Sequence, residues 1–515
     1  MKGWKGKILW IDLSSKNFTE ERLDQEVYKQ FIGGKGLGAF LLYRELKAGV
    51  DPLSPENIIL FLSGPLQGLR GPSVARWTLV TKSPLTGLFL DTHCGEALGR
   101  EIKESGYDAI GIRGKADKPT LLVVGDQEVK FLDADGLWGL GTIEATERIH
   151  DVTAQDAVVY TIGPAGENLV RIASGCCELA HWTGRGGAGA VMGSKNLKAL
   201  TVKGTGLVEA SSDSELRKLN KEAAKAWKEK DFLVGFKDYG TPFLVEVSNE
   251  RGQFPTRNWE SGFFEGYEAL QPEMLQELDA GNQHSCPNCI MQCTYAFWTT
   301  DPRNPEAKVE ATIEYETFGL LGGNLGISDA NKVLQLSVLA DDLGLDTIGV
   351  GGVIGFAMEA FQRDILTEND IGFPLNFGDG EAALRLMEMI SSREGIGDIL
   401  ADGVRLASKK IARGSEEFAV HAKGMEFPAW DPRGKKGLGL SYGTAEVGAS
   451  HLRGWPSTTE MPDSSAVELV ESMVKARDEK HLVDSLVICH FTYHMPLELS
   501  QKIRLLNAAT GLKYD

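Results

Sequence analysis

The sequence predicts an α+β chain: a β-rich N-terminal domain over residues 1–207, then two mainly helical domains over 208–425 and 426–515. Three observations carry this. Short apolar runs alternate with Gly, Pro, Asn and Asp through the first two hundred residues. The texture changes to helical periodicity after Glu209-Ala210-Ser211-Ser212-Asp213. A turn-rich segment, Phe427-Pro428-Ala429-Trp430-Asp431-Pro432-Arg433-Gly434, then opens the last part.

The N-terminal runs include Ile58–Leu62, Trp77–Val80, Thr120–Val124 and Ala157–Tyr160. Each is rich in β-branched or aromatic residues and bounded by turn formers, so each reads as a strand. Asp213 can cap a charged helix running through Lys230. Ser328-Asp329 can open a helix carrying Val333, Leu334, Val338 and Leu339 on one face. Residues 381–412 give another helical stretch, broken at Gly395-Ile396-Gly397.

Of the 515 residues, 42% are apolar and 24% charged, enough for a large core. The net charge of −18 argues against nucleic acid and anionic membranes as partners. The first apolar run, Ile8-Leu9-Trp10-Ile11, is too short for a signal peptide, and no stretch has the length of a membrane span. Seven cysteines in so long a chain are no secreted disulfide framework. The expectation is a cytoplasmic protein using thiols for metal or redox chemistry.

The sharpest local signal is Cys286-Pro287-Asn288-Cys289-Ile290-Met291-Gln292-Cys293. This spacing lets one loop offer three thiolates to an iron–sulfur cluster, with Cys489 as the natural fourth. A structural zinc site with His284 is the competing reading of the same spacing. Two aspartate-led segments follow, Asp341-Asp342-Leu343-Gly344-Leu345-Asp346 and Asp484-Ser485-Leu486-Val487-Ile488-Cys489. A buried carboxylate in either can accept paired N–H bonds from an amino-heterocycle such as a pterin. Each also reads as a helix C-terminus followed by a turn. The loops Gly33–Gly38 and Gly184–Gly189 let backbone N–H groups approach an anion, or are simply tight turns. Neither fits a dinucleotide fingerprint or a Walker loop. Glu314-Tyr315-Glu316 precedes a Gly-rich apolar stretch that can bury and tune a carboxyl, and His451 lies two residues before Arg453.

Taken together, these residues resemble the aldehyde ferredoxin oxidoreductase family of tungstopterin enzymes. The resemblance runs through Asp51–Asn57, Thr81–Gly87, Gly106–Ile110, Ile162–Asn168, Gly184–Leu197, Asn324–Ile327 and Asp431–Gly434. It implies a β-rich base under two pterins, closed over by two mainly helical domains. It implies a [4Fe-4S] cluster on Cys286, Cys289, Cys293 and Cys489, and removes the zinc reading. Asp341, with Leu345 and Asp346, would bind one pterin of a tungsten (or molybdenum) bis-pterin, and Asp484, with Ile488, the other. Arg76 looks like the family arginine between cluster and cofactor, and Arg453 stands where other members can carry Lys. The turn at His93, Cys94 and Gly95, and Thr183 beside Gly184, would lie at the pterin phosphates and an associated Mg2+. Glu316 and His451 match the acid–base pair beside the metal.

Several positions depart from the family pattern. His93 and Cys94 stand where small or polar residues are usual, Trp182-Thr183 replaces Arg-Ala, and Trp430 replaces a Tyr. Gln335 and Val338 replace a Glu and His that bind a metal between subunits, so a homo-oligomer here would lack that bridging metal. The chain ends at Leu512-Lys513-Tyr514-Asp515 where members continue with more helix, so the last domain is expected to be shortened. The resemblance implies oxidation of an aldehyde, a small-molecule substrate, to a carboxylic acid, with electrons leaving to ferredoxin or a small iron–sulfur electron-transfer subunit. The alternatives are reduction of an acyl thioester or aromatic acyl group by the same family, and a non-catalytic scaffold or electron-relay subunit.

Overall fold

The structure, a computed structural model, describes residues 1–229, 234–281, 284–289, 291–455, 460, 464–493 and 497–515. Ile290 of the cysteine loop and Lys230, the expected end of the charged helix, lie outside the described residues.

Two six-stranded sheets form the N-terminal part. The first is built from β1 (Lys7–Asp12), β2 (Asn17–Arg22), β3 (Ile59–Leu62), β4 (Trp77–Lys82), β5 (Phe89–Cys94) and β6 (Ala109–Arg113), in the order β2-β1-β6-β3-β4-β5. The second is built from β7 (Thr120–Val124), β8 (Val129–Asp133), β9 (Val158–Ile162), β10 (Gly175–Cys177), β11 (His181–Trp182) and β12 (Leu197–Val202), in the order β11-β10-β9-β12-β7-β8. Each sheet has a single parallel pair, β1 with β6 and β12 with β7. The four runs singled out in the sequence fall on β3, β4, β7 and β9.

Strand periodicity explains the layering. Successive side chains point to opposite faces, so a strand buried on both faces reads as a continuous apolar run. Leu9, Ile11, Ile59, Phe61, Trp77 and Leu79 pack between the sheets against Leu122, Tyr160, Ile162 and Leu200. Trp77 sits edge-on to Tyr160 at 5.1 Å between ring centroids. The alternate residues Ile8, Trp10, Leu60, Leu62 and Val80 face the other way. There they meet Leu37, Leu41 and Leu42 of helix Gly34–Glu45, Val483 and Leu486 of helix Ala466–Leu486, and Leu505 of helix Leu499–Thr510. The last helices of the chain therefore cover the outer face of the first sheet.

The helices between Ala330 and Ile411 share a separate core around Thr347–Gln362. Helix Ala330–Leu343 is opened by Asp329, whose side chain accepts from Lys332 N–H, and it buries Val333, Leu334, Val338 and Leu339. Residues 380–411 form helices Gly380–Ser392, Ile396–Leu400 and Val404–Ile411, with the break where expected. Helix Asp213–Lys228 corrects one detail: its N-cap is Ser212, not Asp213. Asp213 instead sits in the first turn and bonds Arg217 one turn on.

A three-stranded antiparallel sheet, absent from the sequence reading, interrupts the helical part: β13 (Asp279–Gly281), β14 (Tyr295–Asp301) and β15 (Asn304–Ile313). Its hairpin starts two residues after Cys293 and ends one residue before Glu314. Among the described residues, no helix is long and apolar enough to cross a membrane.

Candidate active site

A cavity of about 640 Å3 lies where the β5 end of the first sheet, the β10–β11 edge of the second and the helical part meet. Its wall holds Arg76, His93, Gly95, Thr183, Glu316, Asp341, Leu345, Asp346, His451, Arg453 and all four cysteines of the proposed cluster. Asp484 and Ile488 are buried just outside that wall.

Three of the thiols come from the loop leading into β14. Cys489 follows helix Ala466–Leu486, whose C-cap Val487 adopts a left-handed φ of 57° and turns the chain sharply. The Cys489 N–H donates to Ser73 O at 3.0 Å, tying this turn to the loop ahead of β4. Burial raises all four thiols; neighbouring thiols raise Cys289, Cys293 and Cys489 further, and Glu96 raises Cys286, with Cys289 reaching about 11. Only the Arg76 guanidinium, with Nη1 3.9 Å from Cys489 Sγ, and a few backbone N–H groups oppose this. Four converging thiols that resist ionisation unaided suit a cationic iron cluster, which takes them as thiolates. His284, the ligand considered for zinc, bonds Glu310 instead at 2.7 Å.

Both aspartate-led segments straddle helix C-termini, as one of the two readings of each expected. Helix Ala330–Leu343 ends on Gly344 in the left-handed conformation. Asp341 faces the cavity with its carboxyl pushed well up by burial, then by Glu314 and Asp342. Leu345 bridges to Ala173, and Asp346 caps helix Thr347–Gln362 by accepting from Ile348 N–H at 3.1 Å. Asp346 Oδ2 lies 3.5 Å from Arg185 Nε.

Asp484 sits in a buried ionic network. It accepts from Lys480 one turn earlier, and lies 3.4 Å from Arg453 Nη1 and 3.5 Å from His93 Nε2. Arg453 also reaches Asp91 Oδ1 at 3.0 Å and Glu446 at 3.5 Å, and Lys35 pairs with Glu446. Burial would raise Asp91 and Asp484, but these cations and His93 hold both below the usual carboxylate range. Asp91, His93 and Asp484 have the spacing of a metal group. Lys35, Arg453 and Lys480 already neutralise them, so the network needs no added cation. His93 is fixed between Thr78 Oγ1 at 3.0 Å and Asp91 Oδ2 at 2.9 Å. The Thr183 hydroxyl turns to Tyr160 OH at 2.8 Å.

Glu316 and His451 face each other with Nε2 to Oε1 at 3.4 Å. Glu316 Oε2 accepts from Ala429 N–H at 2.7 Å. Burial pushes the Glu316 carboxyl up to about 8, against the pull of that N–H and of Arg185. Burial, then the cations Arg185, Arg453 and Lys480, push His451 down to about 3. At neutral pH the pair therefore carries one proton, on the acid, beside a neutral imidazole. Aromatic rings flank it: Tyr315 and Trp430 lie 4.4 Å apart, and Trp455 stands edge-on to Trp430 at 5.0 Å.

Sequence reasoning missed Arg185 as a side chain, though it named the loop around it. Its guanidinium donates to the carbonyls of Glu426 and Ala449. It also missed Lys35, Asp91, Glu446 and Lys480; only Lys480, four residues before Asp484 on a helix, left a local signal.

The wall fits a polar group with hydrogen-bond donors and acceptors of its own. Among the described residues, Trp182 Nε1, Glu316 Oε1, Asp346 Oδ2, His451 Nδ1 and Arg453 Nε are buried there without hydrogen-bond partners. Buried polar atoms are normally satisfied, so five unsatisfied atoms around one cavity indicate a ligand that completes them.

The family description "Aldehyde ferredoxin oxidoreductase, N-terminal domain" matches residues 8–204, and "Aldehyde ferredoxin oxidoreductase, domains 2 & 3" matches residues 218–515. The tungsten-containing aldehyde ferredoxin oxidoreductase of Pyrococcus abyssi is 37% identical over 100% of this chain and 86% of its own length. The aliphatic sulfonate oxidoreductase, WOR-like subunit, of Pyrococcus furiosus is 35% identical over 95% of this chain and 80% of its own length. Among solved structures, the active site complex BamBC of benzoyl coenzyme A reductase superposes with a TM-score of 0.83 at 24% identity, covering 100% of this chain and 86% of that one. At that identity the likeness speaks for the fold alone.

Proposed function

Since the chain belongs to the aldehyde ferredoxin oxidoreductase family and is an oxidoreductase, we propose that it oxidises an aldehyde to a carboxylic acid at a tungsten-bispterin centre. The two electrons leave through a [4Fe-4S] cluster to ferredoxin or a small iron–sulfur subunit. The observation that carries this is the convergence of four thiols, an acid–base pair and unsatisfied polar atoms on one cavity.

Cys286, Cys289, Cys293 and Cys489 would hold the cluster. Asp341, Leu345 and Asp346 would hold one pterin; Asp484 and Ile488, from just outside the wall, would hold the other. Arg76, His93, Gly95, Thr183 and Arg453 would meet its phosphates, their Mg2+ and the space towards the cluster. When bound, the metal–pterin group supplies the two-electron acceptor.

The remaining work falls to side chains of the chain. An aldehyde and water give a carboxylic acid, two protons and two electrons. Glu316 Oε1, unsatisfied and raised in basicity by burial, takes a proton from water. His451, held neutral, donates an N–H to oxygen as negative charge develops. Tyr315, Trp430 and Trp455 exclude bulk water from the pair.

The same aromatic wall favours a second reading, reduction of an aromatic acyl group or acyl thioester. Both reactions are measured on one anaerobic preparation with a viologen dye as electron partner. Aldehyde-dependent dye reduction supports the first reading. Acyl-thioester-dependent dye oxidation without aldehyde activity replaces it with the second.

A further inference from the structure

Cys286 has a neighbour that the proposed function does not use. His181 Nε2 lies 3.2 Å from Cys286 Sγ, and the other ring nitrogen lies 3.6 Å from Glu96 Oε1. The ring is held at the site by the pairing of His181 with Cys177 across β10 and β11. Gly95 makes room for it: a Cβ there would lie 2.3 Å from His181 Cδ2 and 2.7 Å from Cys286 Sγ. Glu96 follows with a left-handed φ of 74°, which brings both its backbone N–H and its carboxylate round to this corner.

The chemistry fixes the direction of the contact. A cluster ligand has given up its thiol proton, so its sulfur only accepts. His181 Nε2 must then be the donor. Such a bond offsets the negative charge that the cluster gains on reduction, and so favours the reduced form.

We propose that His181 is a positioning residue that donates a hydrogen bond to the Cys286 sulfur and raises the reduction potential of the cluster. This rests on the four-cysteine cluster of the proposed function. It also gives Gly95 a role different from pterin contact: it keeps the imidazole against the sulfur.

The test is a redox titration, followed by electron paramagnetic resonance, of anaerobically purified wild-type, His181→Leu and His181→Gln proteins with iron measured in each. His181→Leu should keep four irons and titrate at a more negative midpoint. His181→Gln keeps an N–H donor at similar reach, so its midpoint should lie nearer the wild type. Four irons with an unshifted midpoint in His181→Leu overturns the inference, as does a glutamine variant shifted as far as the leucine one. Pulsed resonance on the reduced cluster of 15N-histidine-labelled protein covers the case in which His181→Leu fails to assemble. A nitrogen coupling present in the wild type and lost in His181→Gln supports the bond, and no coupling in the wild type overturns it. Wild-type protein with no four-iron signal overturns the cluster reading and this inference together; a normal signal without coupling or shift overturns the inference alone.

Discussion

Glu316→Gln separates the acid–base chemistry from everything else in the cavity. The amide is isosteric, its oxygen can still accept from Ala429 N–H, and its NH2 can face His451 Nε2, so folding and cofactor binding should persist. Proton acceptance is lost, and removing a positioned base typically costs about 10²–10⁴-fold in turnover. The pH dependence is a second signature. Burial raises Glu316 to about 8, so its protonated form dominates below that value and the basic form above it. At pH 7 about one carboxyl in ten is ionised. Wild-type turnover should therefore climb about tenfold per pH unit towards 8 and then level, while Glu316→Gln shows no such limb. The assay is aldehyde-dependent viologen reduction on samples matched for tungsten and iron. A metal-matched Glu316→Gln enzyme with wild-type turnover, or with the same rising limb, refutes the reasoning.

Two further substitutions probe the supports of the site. Cys489→Ser should impair or destroy the four-iron signal, whereas Cys94→Ser and Cys176→Ser, at buried thiols not assigned to the cluster, should keep it; the reverse pattern would show the ligand assignment to be wrong. Asp484→Asn removes the charge facing Lys480 and Arg453, which are both buried. Leaving buried cations underpaired should cost about 3–5 kcal/mol of stability, read by urea unfolding of the cofactor-free protein, and a loss below about 1 kcal/mol would contradict the network's role.

Four strands of the first two sheets, β3, β4, β7 and β9, were legible because they are buried on both faces and so appear as unbroken apolar runs. β14 and β15 escaped notice for the opposite reason. Their half-exposed faces carry Thr300, Lys308 and Glu310, and the run from Asn304 to Ile313 includes a proline and three charges. That hairpin positions the chemistry, since it links the cysteine loop to Glu316. Within the site, residues with a local grammar were legible: the cysteine spacing and the aspartates at two helix ends. The Lys35–Glu446 pair spans 411 residues and the His181–Cys286 contact 105, and no periodicity announces either. The cap shift from Asp213 to Ser212 is smaller in kind: both residues can cap, and the choice fell to the one whose side chain meets Glu215 N–H.

The central claim is that one cavity unites a metal–pterin centre with a four-cysteine cluster. The direct test is metal, pterin and iron analysis of the wild-type protein, purified without oxygen, with resonance spectra of the reduced sample. Four irons per chain with a [4Fe-4S] signal are expected, together with tungsten or molybdenum and two pterins. Iron without tungsten, molybdenum or pterin, as in a simple electron relay, or zinc on the cysteines in place of iron, would contradict it.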